Sequence, residues 1–380
     1  MERYEVIIIG AGASGLMCAL NTTKRTLLIE ASDRVGKKIL ATGNGKCNLT
    51  NNVIDTQYYN TPLVMQYFKQ FDNVQTIKYF ERLGIFTRAD EEGRRYPLSN
   101  SANTVLDILL KALSLKSNVK TVVNTLPVAV TKTKDGFMVK TKEQTYVSER
   151  LVIATGGNSG MQYLDQLGVG YVNFRPSLMG LKTTKNKGLA GVRVSNVRVH
   201  FDNFTEVGEV LFKEDGISGI VIFNLSAHLT RNKIRSGQIT LDLLSAIESN
   251  QLLAMLQTSV LHNPNYFLVD ILEGFLHKSL AKNILEKLAL GNQLARDCSE
   301  KNLADLVTSI KEYVVNFTGY ADNNQVHTGG VNLADLDVHL QHKQIPNLYF
   351  IGEVVNVDGV CGGYNLQWAW TSGKIVGDNL

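Results

Sequence analysis

Three glycines and one carboxylate near the start of this chain have the types and spacing to hold a pyrophosphate-linked nucleotide. Gly10-x-Gly12-x-x-Gly15 follows the β-branched run Val6-Ile7-Ile8-Ile9 and opens a stretch of helix formers, Leu16 to Leu20. The first glycine permits a tight turn, the second lets backbone approach a pyrophosphate, and the third lets a helix pack closely on its strand. The helix that starts there brings free N–H groups and a positive dipole end, which suit an anion. Glu30 ends a second run, Thr26-Leu27-Leu28-Ile29, about 20 residues on, where a carboxylate accepts from ribose hydroxyls and repels a 2′-phosphate. Strand, turn, helix, strand and acid in this order predict a dinucleotide-binding α/β domain. They do not separate NAD from FAD.

Those elements need a chain able to carry them. With 380 residues, 44% apolar and 19% charged, it is long enough for two or three domains and too apolar for wholesale disorder. Its net charge of +4 gives no argument for nucleic acid. Cys18, Cys47, Cys298 and Cys361 contain no CxxC pair, so neither a zinc ribbon nor a dithiol motif is present. Few cysteines, and a first strand that leaves no room for a targeting segment, lead to an expectation of a cytoplasmic protein. The apolar run Val6–Leu20 is too short and too interrupted by glycine to span a membrane, and no other stretch qualifies.

Beyond Glu30, residues 31–52 read as a long loop rich in glycine, amide and cation. Gly43 and Gly45 could form an anion nest there, with Arg34, Lys37, Lys38 and Lys46 as neutralising charges. Residues 61–83 have helical spacing broken at Asp72-Asn73. Residues 85–97 read as strand–turn–strand, and 99–115 as an amphipathic helix. Residues 119–130, 137–142 and 145–147 alternate like strands of a small inserted antiparallel sheet, with Lys134-Asp135-Gly136 as its hairpin turn. Leu151-Val152-Ile153 then reads as another buried strand, whose end, Ala154-Thr155-Gly156-Gly157, would lay backbone beside a cofactor. From residue 188 to 229 the period is two, with Ile220–Phe223 as its last strand, which predicts a β-barrel. From 241 to 315 it becomes helical. The expected organisation is residues 1–178 plus 321–380 as a discontinuous nucleotide-binding domain, 179–238 plus 316–320 as the barrel, and 239–315 as a helical domain.

The last sixty residues turn glycine-rich again. Leu348–Ile351 reads as a strand ending in Gly352-Glu353, followed by a glycine loop and a closing helix after Gly362-Gly363. FAD is longer than one strand–turn–helix can serve. Glu353 could accept from a ribitol hydroxyl, and the helix dipole would favour negative charge on the ring's pyrimidine edge. An NAD dehydrogenase would not need the C-terminus to return to the first strand.

The segments Thr42-Gly43-Asn44-Gly45-Lys46-Cys47-Asn48-Leu49-Thr50-Asn51, Ala154-Thr155-Gly156-Gly157 and Gly352-Glu353 through Asp358-Gly359-x-x-Gly362-Gly363-Tyr364-Asn365-Leu366-Gln367 resemble the HI0933-like (BaiN-like, aminoacetone-oxidase-like) flavoproteins over nearly the whole chain. The resemblance implies a glutathione-reductase-type, Rossmann-like FAD domain, split in sequence and carrying inserted β-barrel and helical domains. It implies that Gly10, Gly12, Ser14, Gly15, Glu30, Lys38, Gly45, Gly352, Glu353, Gly363, Asn365 and Leu366 line the cofactor. Ala13, Ala31, Ala154, Thr155 and Gly156 join the expected set, and Val128 would offer backbone to the adenine. The segment 158–161 is shorter than in the family, and Cys361 stands where threonine is more usual.

No Ser/His/Asp arrangement or metal-ligand cluster is evident in the sequence. His327, beside Gly329-Gly330, is a candidate acid or base, its alternative being a hydrogen-bonded strand-end histidine. Tyr364 shapes a substrate pocket or simply packs. Cys47 and Cys361 read as two separate thiols, not a redox couple. The expected activity is FAD-dependent oxidoreduction of a small organic substrate, either amine oxidation or NAD(P)H-linked reduction of an unsaturated carbonyl. With no second GxGxxG, NAD(P)H would bind only transiently. The alternatives are a flavin-dependent RNA-modifying enzyme and a non-catalytic flavin redox sensor. Nucleic acid and membrane are not expected partners, and the sequence does not speak to oligomeric state.

Overall fold

The computed structural model describes residues 2–380. The chain divides into two units: one runs up to Pro176 and resumes over Gln325–Leu380, and the other is Ser177–Asn324.

In the first unit, β1 (Glu2–Ile9) leads through the glycine turn into α1 (Ala13–Asn21) and on to β2 (Thr26–Ile29). β1 and β2 pair in parallel with Ile7 opposite Leu27. Val6, Ile7 and Ile8 are fully buried, as expected of a parallel strand covered on both faces. The strand Val119–Val122 extends the sheet beyond β2, again in parallel. On the other side of β1 lies the long strand Thr145–Ile153, parallel to it. The second half of that strand carries Leu348–Phe350 in parallel, and its first half carries the antiparallel hairpin 129–140.

Two expectations are corrected here. Residues 119–122 do not belong to an antiparallel insert. The helix Ala102–Ser114 returns the chain to the β2 edge as a crossover, and Asn124, at φ 51°, then ends the strand. Nor is the antiparallel part separate, because one continuous strand serves both it and the parallel sheet.

The closing helix Tyr364–Asn379 lies against α1. A Cβ on its Gly373 would fall 2.4 Å from the Ser14 carbonyl oxygen, and one on Gly377 2.7 Å from that of Cys18. Two glycines one turn apart thus bring the backbones of the first and last helices together.

The second unit contains a closed six-stranded barrel, in the order 181–183, 216–218, 204–213, 193–201, 237–242, 313–320. It has its own core, running from Leu181 to Phe317. Its strands reach further than the 238 and 316 boundaries expected from sequence. Gly237–Asp242 pairs with Tyr313–Phe317, so the helical segment lies inside 243–312. Ile220–Phe223 is not a strand but the first turn of the helix Ile220–Arg231. Val221, Ile222, Leu225 and Leu229 form its buried stripe, and Gly219, at φ 124°, ends the preceding strand. A four-residue apolar run fits either period, and here the spacing beyond it decides. The helices Ser249–His262, Leu268–Glu273, Lys278–Lys287 and Glu300–Lys311 follow, the last opened by a Ser299/Asn302 capping box. No helix among the described residues is long and apolar enough to cross a membrane.

Candidate functional site

The fingerprint glycines differ in what surrounds them. Gly10 has φ 103°, and a Cβ there would lie 2.4 Å from the Ala154 carbonyl oxygen. A Cβ on Gly15 would lie 2.0 Å from the Gly10 oxygen. A Cβ on Gly12 would meet nothing within 4 Å, so an open face remains there. Gly12 is also the N-cap of α1, with no side-chain cap and no acid in the first turn. Among the described residues no cap side chain or first-turn acid occupies this helix end, and its dipole favours an anion by about 0.3–1 kcal/mol.

Glu30 is fixed beside this opening. Its Oε2 accepts from the Ala11 N–H at 2.9 Å and its Oε1 from the Ser32 N–H at 2.8 Å. Each oxygen keeps a lone pair for a ribose hydroxyl. Ala31 is exposed next to it. Ala13 is half-buried and Ser14 buried, with the Ser14 oxygen 2.5 Å from where a Gly352 Cβ would stand.

The C-terminal turn is built from side chains. Gly352 N–H donates to Ser372 Oγ at 2.9 Å, and its carbonyl accepts from Trp368 Nε1 at 3.0 Å. Trp370 Nε1 donates to the Leu49 carbonyl at 3.0 Å. Gln367 accepts from Thr50 Oγ1 at 2.6 Å and donates to Thr76 and Thr371, both at 2.9 Å. With the Asn48 amide oriented so that both partners are satisfied, its oxygen accepts from the Gly363 N–H at 3.1 Å and its nitrogen donates to the Thr50 carbonyl at 3.0 Å. These contacts aim the closing helix, whose N-cap, Gly363, again has no side-chain cap and no acid in its first turn. Asn365 pins the loop: it accepts from Gly359 N–H and donates to the Gly359 carbonyl, both at 2.9 Å. Leu366 is half-buried. Tyr364 stacks on Tyr58 at 4.6 Å and is 5% exposed, and burial pushes its hydroxyl pKa up, so the structure gives it a packing position.

Four segments meet at Glu353. Its Oε1 accepts from the His327 backbone N–H at 2.6 Å and lies 3.2 Å from His327 Nδ1, while its Oε2 accepts from Lys38 Nζ at 3.0 Å. A Cβ on Gly156 would lie 3.6 Å from both Glu353 Oε2 and Lys38 Nζ. Burial alone would raise the carboxyl pKa, but the His327 bond and the Lys38 charge outweigh it and hold Glu353 below the ordinary range.

Other expected residues are placed less directly. Thr155 Oγ1 is buried without a hydrogen-bond partner and faces Gly160, so only its backbone is at the strand end. Val128 donates its N–H to the Lys140 carbonyl, and its own carbonyl, 3.4 Å from Gln166 Nε2, keeps a second lone pair. Gly45 is exposed at φ 81°, and the neighbouring Lys46 and Cys47 N–H groups close back onto the Gly43 and Thr42 carbonyls. Cys47 is buried and Cys361 half-buried, with no disulfide between them. Sequence reasoning put Gly157 at a strand end beside the cofactor but did not connect it to His327, and it missed Ser372 and Trp368 as positioning groups. Only the i, i+4 spacing of Gln367/Thr371 and Trp368/Ser372 could have pointed to the polar face of that helix.

This donor set fits FAD. An open, uncapped helix end suits the pyrophosphate, a fixed carboxylate suits the adenosine ribose, and a second uncapped helix end suits the flavin. A Rossmann-type domain closed by these two turns is an FAD-binding flavoprotein domain. The chain belongs to the HI0933-like family, whose Rossmann-domain model matches residues 4–379, and with it to the flavin-dependent oxidoreductases.

Among curated proteins it is 30% identical to a 3-dehydro-bile acid delta(4,6)-reductase of Clostridium scindens, over 97% of each chain. It is 28% identical to a ribosomal RNA dihydrouridine synthase of Escherichia coli, over 100% of this chain and 98% of that one. Among solved structures, 3-ketosteroid delta1-dehydrogenase from Sterolibacterium denitrificans matches with a TM-score of 0.50 at 13% identity, over 100% of this chain and 99% of the other, a likeness of fold alone.

Proposed function

We propose that this chain is an FAD-dependent reductase of a carbon–carbon double bond conjugated to a carbonyl in a small organic substrate, drawing electrons from NADH or NADPH. The observation that carries the reading is the pair of uncapped helix N-termini, at Gly12 and Gly363, reached from opposite ends of the sequence. The first can hold the pyrophosphate. The second favours negative charge at the flavin's pyrimidine edge and so the reduced cofactor. Bound FAD supplies the hydride, and the chain binds, orients and handles the proton. The direction of the reaction draws support from the relatives. A Δ4,6 bile-acid ketone and a uracil ring both carry a double bond conjugated to a carbonyl, and both named activities saturate one. Amine oxidation finds no such support.

The dihydrouridine synthase relative also favours a second reading, in which the acceptor is a uridine in RNA. The chemistry is the same; the substrate class differs.

Anaerobic stopped-flow mixing separates these readings. Holoprotein is reduced with NADH or NADPH, then mixed with a steroid dienone, cyclohexenone, or a uridine-containing ribosomal RNA fragment. Recovery of the oxidised flavin spectrum with an enone supports the first reading, and recovery with RNA alone supports the second. Reoxidation by dioxygen alone, with turnover of an amine, would replace both.

A further inference from the structure

We propose that His327 is the proton donor of this site, delivering from Nε2, and that Glu353, Lys38 and Gly157 are the residues that position it. The inference rests on the reductase reading and names the group that completes it.

Saturating a conjugated double bond requires two new C–H bonds. The π bond breaks, the β-carbon takes the hydride, and the α-carbon takes a proton from an acid. After that transfer the acid must be reprotonated from solvent. Among the groups singled out beside the Gly352 turn, Lys38 is bound to Glu353 and is 68% exposed at its side chain, and Tyr364 is stacked on Tyr58. His327 differs from both. Its side chain is 15% exposed, and the carboxylate of Glu353 lies 3.2 Å from Nδ1. A carboxylate only accepts, so Nδ1 carries the hydrogen and Nε2 is the atom left to exchange a proton. When both nitrogens are protonated, loss of the Nε2 proton leaves the Nδ1–H tautomer that Glu353 already accepts from. The pairing thus fixes the state the histidine must occupy after donation.

The ring is held on three sides. Its own backbone N–H is bonded to the same Oε1 at 2.6 Å. Lys38 Nζ, at 3.0 Å from Oε2, keeps the carboxylate turned toward the ring and balances its charge. A Cβ on Gly157 would lie 2.5 Å from His327 Nδ1 and 2.6 Å from Cγ, so the glycine face is the wall the imidazole packs against. These residues come from four separate stretches of chain, and a surface histidine at a strand end would need none of them. A positioned general acid contributes about 10²–10⁴-fold to rate, which is what such a fixed arrangement serves.

Two measurements on the FAD-loaded protein test this. The first is two-bond ¹H–¹⁵N correlation on ¹⁵N-histidine-labelled protein, with the His327 signals assigned by their loss in His327→Gln. Neutral His327 is expected as the Nδ1–H tautomer, with that preference lost in Glu353→Gln. An Nε2–H tautomer in the native protein overturns the proposal. The second is the rate at which an enone, or the RNA fragment if that is the acceptor, reoxidises the reduced flavin. It is expected to fall about 100-fold or more in His327→Gln and by a smaller factor in Gly157→Ala. FAD content, read from the visible spectrum, shows whether each variant is folded and loaded. A loaded His327→Gln protein reoxidised as fast as native overturns the inference while leaving the proposed function standing. Native protein reoxidised by none of these acceptors overturns both.

Discussion

The two glycine turns of the FAD domain perform similar tasks by different means. The N-terminal turn is almost entirely backbone: Gly10 and Gly15 are packed against carbonyls at 2.4 and 2.0 Å from their would-be Cβ positions, and one carboxylate, Glu30, is tied to two N–H groups. Its glycine contacts are steric, one local, Gly15 on the Gly10 carbonyl, and one with the distant strand end at Ala154. The C-terminal turn is held by buried polar side chains whose partners lie far away along the chain. Gln367 bonds Thr50 and Thr76, and Trp370 bonds the Leu49 carbonyl. A steric turn should fail through strain, whereas a hydrogen-bonded one should fail through unsatisfied polar groups.

The largest effect should come from the packed glycines. Gly10→Ala forces a Cβ into a carbonyl oxygen at φ 103°, and Gly15→Ala does so against the Gly10 oxygen. Each should lower the stability of the apoprotein by about 2–4 kcal/mol and abolish FAD uptake, as read by denaturant titration and flavin content. Gly12→Ala sharpens the contrast, because no protein atom lies within 4 Å of its Cβ. Apoprotein stability should stay within about 1 kcal/mol, since the weaker N-cap and the stiffer unfolded chain offset each other. FAD affinity should nevertheless fall about 100-fold or more. Equal destabilisation by Gly12→Ala and Gly15→Ala would break the distinction between an open and a packed glycine.

In the C-terminal turn, Gln367→Leu leaves Thr50 and Thr76 hydroxyls buried without this partner. It should cost about 1–3 kcal/mol, with the loss concentrated in the docking of the closing helix. Hydrogen exchange at the amides of residues 364–372 reads it directly. Protection unchanged there while global stability falls would show that the network supports the core but does not aim this helix.

This difference also explains what could be read in advance. The N-terminal turn is legible because its glycines, strand, helix and acid lie within thirty residues and obey local rules. The C-terminal turn is legible as a motif through family resemblance, but its mechanics are not. Nothing in local periodicity brings Gln367 to Thr50, or Gly157 to His327. The barrel is visible as a change of period, yet Ile220–Phe223 reads as strand until Leu225 and Leu229 are found on the same buried stripe. Residues 119–122 alternate like an edge hairpin, but the crossover helix Ala102–Ser114 places them in parallel beside β2, a topological fact that alternation does not carry. Val128 entered through resemblance alone, and its backbone bonds to Lys140 and Gln166 were invisible until the hairpin was placed.

Acid provides a weaker test of the same contrast. The Glu353 carboxyl is held below its ordinary range, so its stabilisation is complete above the unfolded pKa near 4.5 and is lost as pH falls through the lower folded value. Glu353→Gln should therefore flatten the stability profile below about pH 4.5, as read by denaturant titration across that range.

The smallest effect concerns the thiols. Burial pushes Cys47 up to about 12 and raises Cys18 as well, and both are fully enclosed. Cys298 and Cys361 are only partly enclosed. Thiol reagents at pH 8 should therefore modify two sites in the folded protein and four in denaturant. The Cys47 contribution to stability is fully present below pH 9 and declines as pH rises from there toward 12. Cys47 lies between the loop that carries Lys38 and the Leu49 carbonyl that receives Trp370, so its reagent access reports local opening of the C-terminal turn. Faster modification of Cys47 in Gln367→Leu than in Gly12→Ala, at matched reagent concentration, is the outcome expected if the side-chain network rather than the glycine packing closes that part of the site.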